Sequence, residues 1–218
     1  MRPVQTDASS SSRGLLFLIT APSGAGKDSV IRILKSRDVD IRWVTTAVTR
    51  APRKGERNGV DHFFLSEAEF QVKLSSGWFL ETAMVYGRYY GTPIEQVRDP
   101  LREGSDVMLR IDVQGARTLK RKCPGTIVIF LEPPSPEEAE RRMRGRESET
   151  MEEIERRVSA MKNYELGFAK EADYCVINRT GDLEAVADQV WGIVTTARAE
   201  GHAGPLLSSF TPIKRRLS

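Results

Sequence analysis

A short apolar run, Leu15 to Thr20, leads through the glycine-rich turn Ala21-Pro22-Ser23-Gly24-Ala25-Gly26-Lys27-Asp28-Ser29 into a helical stretch. That stretch, Ser29 to Lys35, carries Val30, Ile31 and Leu34 on one face. A strand that is apolar throughout must be covered on both faces, and the helix after it returns over the sheet, so the unit calls for a parallel sheet. Further buried strands are expected at Val107 to Asp112, Thr126 to Leu131 and Tyr174 to Ile177. Helical patterns cover Gln114 to Lys122, Pro136 to Arg144, Met151 to Ala169 and Leu183 to Ala199. Strands alternating with helices give an α/β fold. From about Trp43 to Thr92 the rhythm breaks into short strand-like pieces, several glycines and a small helix, Ser66 to Ser75. This stretch reads as an inserted α+β subdomain.

Composition narrows the classes. A chain of 218 residues buries roughly 70% of its unfolded surface, so it needs no disulfide or metal staple. Its two cysteines, Cys123 and Cys175, form no disulfide framework, and no Cys/His cluster has metal-ligand spacing. No apolar stretch approaches the roughly 20 residues of a membrane span, and no apolar segment of signal type follows Met1. The expectation is a cytoplasmic protein without a membrane partner. Thirty-three basic residues face 30 acidic ones, a net charge of +3. That balance is too even for a nucleic-acid surface, so none is expected. Residues 1–12 read as a disordered leader, and residues 204–218, with the run Lys214-Arg215-Arg216, as a solvated basic tail.

The turn carries the chemistry. Backbone N–H groups of a glycine-rich loop between a strand and a helix converge on phosphate oxygens, with the helix dipole behind them. Lys27 then adds a mobile positive charge for the outer phosphates. The strict pattern G-x-x-x-x-G-K-[ST] is missed twice, by Ala21 at its first position and Asp28 at its last. The position after a strand and at the start of a helix compensates for both.

Four motifs in order carry a resemblance. The loop, Thr49-Arg50-Ala51-Pro52-Arg53-Lys54-Gly55-Glu56, Tyr89-Tyr90-Gly91-Thr92 and Ile111-Asp112-Val113-Gln114-Gly115 together are similar to the guanylate kinase family, from about Gly14 to Ala199. The resemblance implies a P-loop nucleoside monophosphate kinase. Its core is 13–42, 93–132 and 158–203, its GMP-binding insert 43–92 and its mobile helical lid 133–157, within a domain of 13–203. It implies ATP and GMP as substrates, Mg²⁺ accompanying ATP, and a monomer or homodimer.

Residue by residue, the resemblance places ATP on Ala21 to Ser29 and Asn178, with Asn178 near the adenine. Arg50 and Arg53, three apart, suit a monophosphate clamp because guanidinium groups grip phosphate through paired charge-assisted hydrogen bonds. A solvated basic loop is the bland alternative. The family assigns the clamp role to both arginines, with Tyr90 and His62 as nearby hydrogen-bonding candidates. The family normally has Tyr where His62 stands, and an imidazole charge varies with pH. Guanine presents two donors, N1–H and the N2 amino group, on one edge, which an acceptor-only carboxylate takes together. Glu81 and Asp112 occupy the family's guanine-reading positions, with Thr46 and Thr92 at its hydroxyl positions. No general base is needed, because a phosphate acceptor is already largely ionised at pH 7, its second pKa being about 6.

Segment 137–157 mixes both charge signs. Glu138/Arg142, Glu140/Arg144, Glu152/Arg156 and Glu153/Arg157 are i,i+4 pairs that stabilise a solvated helix. Arg142, Arg146 and Arg157 also match family positions that close over the phosphates, and with Lys27 they are the expected catalytic residues. Two departures stand out. The family usually has Ser/Thr where Asp28 stands and Asp where Arg110 stands. The expectation is an ion pair between them beside the metal site, with Asp28 or Ser29 helping to hold Mg²⁺ directly or through water. Two rival readings share the fold. Ribose 1,5-bisphosphate phosphokinases have a Lys-Asp-Ser run like Lys27-Asp28-Ser29 but should not need a guanine-reading pair. Non-catalytic guanylate-kinase-like binding modules tend to lose the ATP loop, which this chain keeps.

Overall fold

The computed structural model describes residues 13–37, 39–145 and 150–213. Strand β1 (Leu16–Thr20) is buried at all five positions, as its unbroken apolarity requires. Alternation divides the core between its two faces. Phe17 and Ile19 point to one hydrophobic cluster and Leu16 and Leu18 to the other. Helix α1 (Lys27–Ser36) leaves the loop with Val30, Ile31 and Leu34 buried in the first cluster. Strand β2 (Arg42–Trp43) then pairs with the core, Trp43 lying in register with Met108. The inserted subdomain therefore starts after this pairing rather than at residue 43.

The insert forms a second sheet from β3 (Ala47–Val48), β4 (Phe63–Phe64), β5 (Phe79–Val85) and β6 (Arg88–Pro93), in the order β4-β3-β6-β5. Helix α2 (Glu67–Ser75) opens on a Ser66/Glu69 capping box and packs Phe70 against Phe79. A two-residue turn joins β5 to β6. Tyr86 (φ 49°) and Gly87 (φ 75°) both take the left-handed conformation that a tight hairpin demands.

The chain returns to the core through α3 (Glu95–Arg102), β7 (Val107–Arg110), α4 (Val113–Lys122) and β8 (Ile127–Glu132). Helices α5 (Pro136–Arg144) and α6 (Met151–Ala160), in the segment expected to be a lid, then β9 (Tyr174–Ile177) and α7 (Leu183–Ala199), complete it. The core sheet is parallel throughout, in the order β2-β7-β1-β8-β9. From β1 the chain winds first toward β2 and β7, then crosses to β8 and β9. The switch point lies at the carboxyl ends of β1 and β7, where an open α/β sheet offers its ligand crevice. The strand expected at Val107 to Asp112 stops at Arg110, because Asp112 caps α4 instead.

Two expectations change. The single helix over 151–169 follows α geometry only to Ala160, then widens to a π turn (Met161–Glu165) and tightens to a 3₁₀ turn (Leu166–Glu171). The changed winding sends Phe168 into the core while Glu165 reaches the phosphate loop, an arrangement that a uniform helix does not offer. Residues 204–213 are also no solvated tail. Phe210 is 5% exposed within the second cluster, Ile213 N–H donates to the Phe79 carbonyl at 3.0 Å, and Lys122 Nζ donates to the Thr211 carbonyl. The apolar residues Leu207 and Phe210 outweigh the surrounding Gly, Pro and Ser. Phe210→Ala is expected to lower unfolding stability by about 3–5 kcal/mol in urea titration, the usual cost of emptying a buried aromatic site. The leader 1–12, Arg146 and the Lys214-Arg215-Arg216 run lie outside the described residues. No described helix is long and apolar enough to cross a membrane.

Candidate active site

The loop after β1 wraps the start of α1. Gly24 (φ 81°) and Gly26 (φ 83°) hold conformations that L side chains rarely adopt. A Cβ on Gly24 would meet the Ala139 carbonyl oxygen at 2.3 Å, so the loop lies directly against α5 of the lid. Asn178 braces the loop from beneath, its Nδ2 donating to the Ala25 carbonyl at 2.6 Å. Asn178 is 2% exposed, so this amide sits under the loop instead of along the cleft, where an adenine contact was expected. Ala25 is buried with it.

Lys27 Nζ donates to the Ile111 carbonyl at 2.7 Å, which ties the loop to the end of β7. Burial holds its pKa below the usual lysine value, against the attraction of Asp28. The expected ion pair is present: Arg110 Nη1 donates to Asp28 Oδ1 at 3.2 Å. The other terminal nitrogen of Arg110 donates to His62 Nε2. His62 Nδ1 faces Thr46 Oγ1 at 3.0 Å and the Thr46 carbonyl at 3.3 Å. Burial, then the charges of Arg110 and Arg50, push the imidazole pKa down to about 4. His62 is therefore neutral at physiological pH with both nitrogens engaged. The expected phosphate donor of variable charge is absent, because Arg110 already takes the acceptor lone pair.

At the insert end of the cleft lies Glu81, 2% exposed. Thr92, itself fully buried, donates its hydroxyl to Oε1 at 2.6 Å, so it holds the carboxyl from behind instead of meeting a base. Oε2 is buried and has no hydrogen-bond partner. Burial, reinforced by the charge of Asp112, pushes the Glu81 pKa up to about 8. Asp112 completes the pair of acids, its Oδ1 accepting from the N–H groups of Gln114 (2.7 Å) and Gly115 (3.3 Å) at the start of α4.

The raised Glu81 pKa has a consequence for stability. Between the unfolded value of 4.5 and about 8 the folded chain binds more protons at this site than the unfolded one, so stability falls as pH rises through that window. Glu81→Gln removes the titration. Its melting temperature, compared with that of the unsubstituted chain from pH 5 to pH 8, is expected to gain ground steadily with pH.

Arg50 stands in a bidentate pair with Glu56 (2.6 and 2.7 Å), while its Nε is buried without a hydrogen-bond partner. Glu56 also accepts from the Arg53 N–H at 2.7 Å and is held down to about pKa 2, chiefly by the Arg50 hydrogen bonds. One carboxylate thus shapes the whole arginine loop. In the lid, Arg142 donates to Glu138 (2.9 Å), to the Asn178 carbonyl (3.1 Å) and to Thr180 (3.0 Å), next to Gly26. Arg157 lines the cleft with its guanidinium 5.7 Å from the Tyr86 ring centre. The helix pairs expected in the lid are seen at Glu138/Arg142, Glu140/Arg144 (2.7 Å) and Glu152/Arg156 (3.5 Å).

Sequence reasoning did not anticipate Tyr86 and Glu165 at the site. Tyr86 donates to Glu165 Oε1 at 2.7 Å and faces Ser23 Oγ at 3.1 Å, while Glu165 Oε2 accepts from Ser23 N–H at 2.6 Å. Hairpin tip, phosphate loop and π turn meet there. The Tyr86-Gly87 turn was a readable signal, but the distance of Glu165 in sequence hid its partner.

Much of this borders a cleft of about 640 Å³, within the range of small-molecule sites. Residues 21–24 and 26–29 of the loop line it. So do Thr46, Arg50, Arg53, His62, Glu81 and Tyr90 of the insert, together with Arg110, Asp112 and Arg157.

Comparison with known proteins places this architecture. A family model described as guanylate kinase matches residues 13–196. The chain is 39% identical to the guanylate kinase of Clostridioides difficile over 85% of this chain and 89% of that one. It is 44% identical to that of Methylobacillus flagellatus, over 76% and 82%. Among solved structures, the guanylate kinase of Anaplasma phagocytophilum superimposes with a TM-score of 0.70 at 29% identity, covering 87% of each chain. With a phosphate loop at one end of the cleft and a buried, unsatisfied carboxyl at the other, this chain belongs to the guanylate kinase family.

Proposed function

We propose that the chain transfers the γ-phosphoryl group of ATP to GMP or dGMP, yielding ADP and GDP or dGDP. The observation that carries this reading is the orphaned Oε2 of Glu81, a buried acceptor in the same cleft as the glycine loop and Lys27. Guanine brings two donors to it and to Asp112. Adenine presents an acceptor at N1, which a carboxylate repels. Arg50 and Arg53 hold the GMP phosphate, with Tyr90 beside them. The loop amides and Lys27 hold the ATP phosphates, and Lys27 leaves the Ile111 carbonyl to do so.

Transfer between two phosphates passes through a loose anionic transition state, so positioned positive charge supplies most of the acceleration. Lys27, Arg142, Arg146 and Arg157 provide it. Closure of lid and insert over the cleft excludes water that would otherwise accept the phosphoryl group.

Asp28 and Ser29 offer hard oxygen donors suited to Mg²⁺, and Asp28 is more than half exposed at the cleft. Among the described residues no group of three His, Cys, Asp or Glu side chains could hold a metal ion by itself. When bound, Mg²⁺ neutralises phosphate charge.

A coupled ADP-release assay with ATP and Mg²⁺ tests the reading against GMP, dGMP, AMP and ribose 1,5-bisphosphate. Turnover with GMP and dGMP and little with AMP is expected. Turnover with the sugar phosphate alone would overturn it.

A further inference from the structure

Asp28 of the donor loop and His62 of the inserted subdomain meet at a single guanidinium, that of Arg110. Arg110 ends β7, where its backbone is in register with Ile19, two residues before the phosphate loop. From that fixed base one terminal nitrogen donates to Asp28 on the donor loop and the other to His62 on the acceptor subdomain. His62 is aimed by Thr46 behind it. A guanidinium has five N–H donors, and these contacts use two of them. The Arg110 side chain is 28% exposed and, like Lys27 and Arg50, lines the cleft. Its charge bears on both neighbours, lowering the pKa of Lys27 and of His62.

We propose that Arg110 is a phosphate-contacting residue of the transfer step, a cation fixed at the end of β7 that binds the phosphoryl group between the ATP and GMP sites. The assignment rests on the ATP:GMP reading above. A lid arginine must be carried in by closure, whereas Arg110 stands in place beforehand, so its ordering cost is met on folding. Its present partners suit the role. The neutral imidazole is a weaker acceptor than an anionic phosphate oxygen, so Arg110 can exchange that contact for a charge-assisted one as the phosphates arrive. Asp28 retains the guanidinium while this happens.

The test is steady-state turnover with ATP and GMP, with melting temperatures and GMP binding by calorimetry measured on the same samples. Turnover of GMP by the unsubstituted chain establishes the underlying reading, and its absence would remove that reading and this assignment together. Given turnover, Arg110→Ala is expected to lower kcat about 10²–10³-fold, the range for losing one transition-state donor, with GMP affinity changed only a few-fold. Added guanidinium ion, at concentrations well below denaturing, should raise the kcat of Arg110→Ala at least tenfold and leave the unsubstituted chain unaffected. Arg110→Lys, which keeps the Asp28 pair and the charge but lacks the fork, should lose about tenfold in kcat at an unchanged melting temperature. The double variant Asp28→Ser/Arg110→Asp checks the pair: melting temperature recovered relative to Asp28→Ser, with kcat still low, supports the assignment. A merely structural Arg110 predicts lowered melting temperatures, kcat within threefold in every folded variant and no guanidinium rescue, and that result overturns the proposal.

Discussion

Glu81→Gln is expected to lower kcat/KM for GMP about 10²–10⁴-fold and to leave the weak turnover of AMP almost unchanged. The substitution keeps shape and, through Oε1, the Thr92 hydrogen bond. It changes Oε2, now a buried acceptor without a partner, into an amino group facing two guanine donors. One charge-assisted hydrogen bond is lost and a donor–donor clash is created, each worth about 1.5–3 kcal/mol in a buried site. Coupled-assay kinetics of both enzymes on both acceptors give the ratio. A loss below threefold would mean that Glu81 does not read the base. The same variant should gain melting temperature toward pH 8, so activity and stability move in opposite directions, which no general unfolding explanation accommodates.

Lys27→Met should reduce kcat by about 10³-fold or more while GMP affinity, measured by calorimetry without ATP, stays within a few-fold. Methionine keeps much of the apolar stem, so the space that the stem occupies remains filled, and only the ammonium and its hydrogen bond to the Ile111 carbonyl disappear. Removing one preorganised transition-state donor costs about 10²–10³-fold, and Lys27 carries a full charge as well. Its pKa is depressed chiefly by burial, a deficit that ATP phosphates would offset on arrival. Undiminished turnover in this variant would place the donor phosphates somewhere other than the loop.

Much of this site was legible in the sequence because its chemistry lies in local runs. The Leu15-to-Lys35 unit specified strand, loop and helix together, since apolar run, glycines and amphipathic face each permit one local answer. The charge exchange at Asp28 and Arg110 was also readable, from two departures that make sense only as a pair. What the sequence withheld were contacts between distant segments. Glu165 lies 142 residues from Ser23 and reaches it through a change of helical pitch that periodicity does not encode. His62 looked like a phosphate donor because nothing local shows that Arg110 occupies its acceptor nitrogen. Thr92 and Asn178 resembled ligand contacts but support the groups in front of them, Glu81 and the loop. Residues 204–213 looked like a tail because composition conceals that Phe210 has a cavity to fill.

If Glu81 reads guanine, a buried carboxyl that is neutral in the free protein becomes charged when GMP binds. Calorimetric titration of GMP at pH 7.5, in two buffers of different ionisation enthalpy, measures the protons exchanged on binding. The GMP phosphate is already almost fully ionised there, so the signal belongs to the protein. With Glu81 raised to about pKa 8, release of most of one proton per GMP bound is expected, and close to none in Glu81→Gln. Equal proton release by both proteins would contradict that reading.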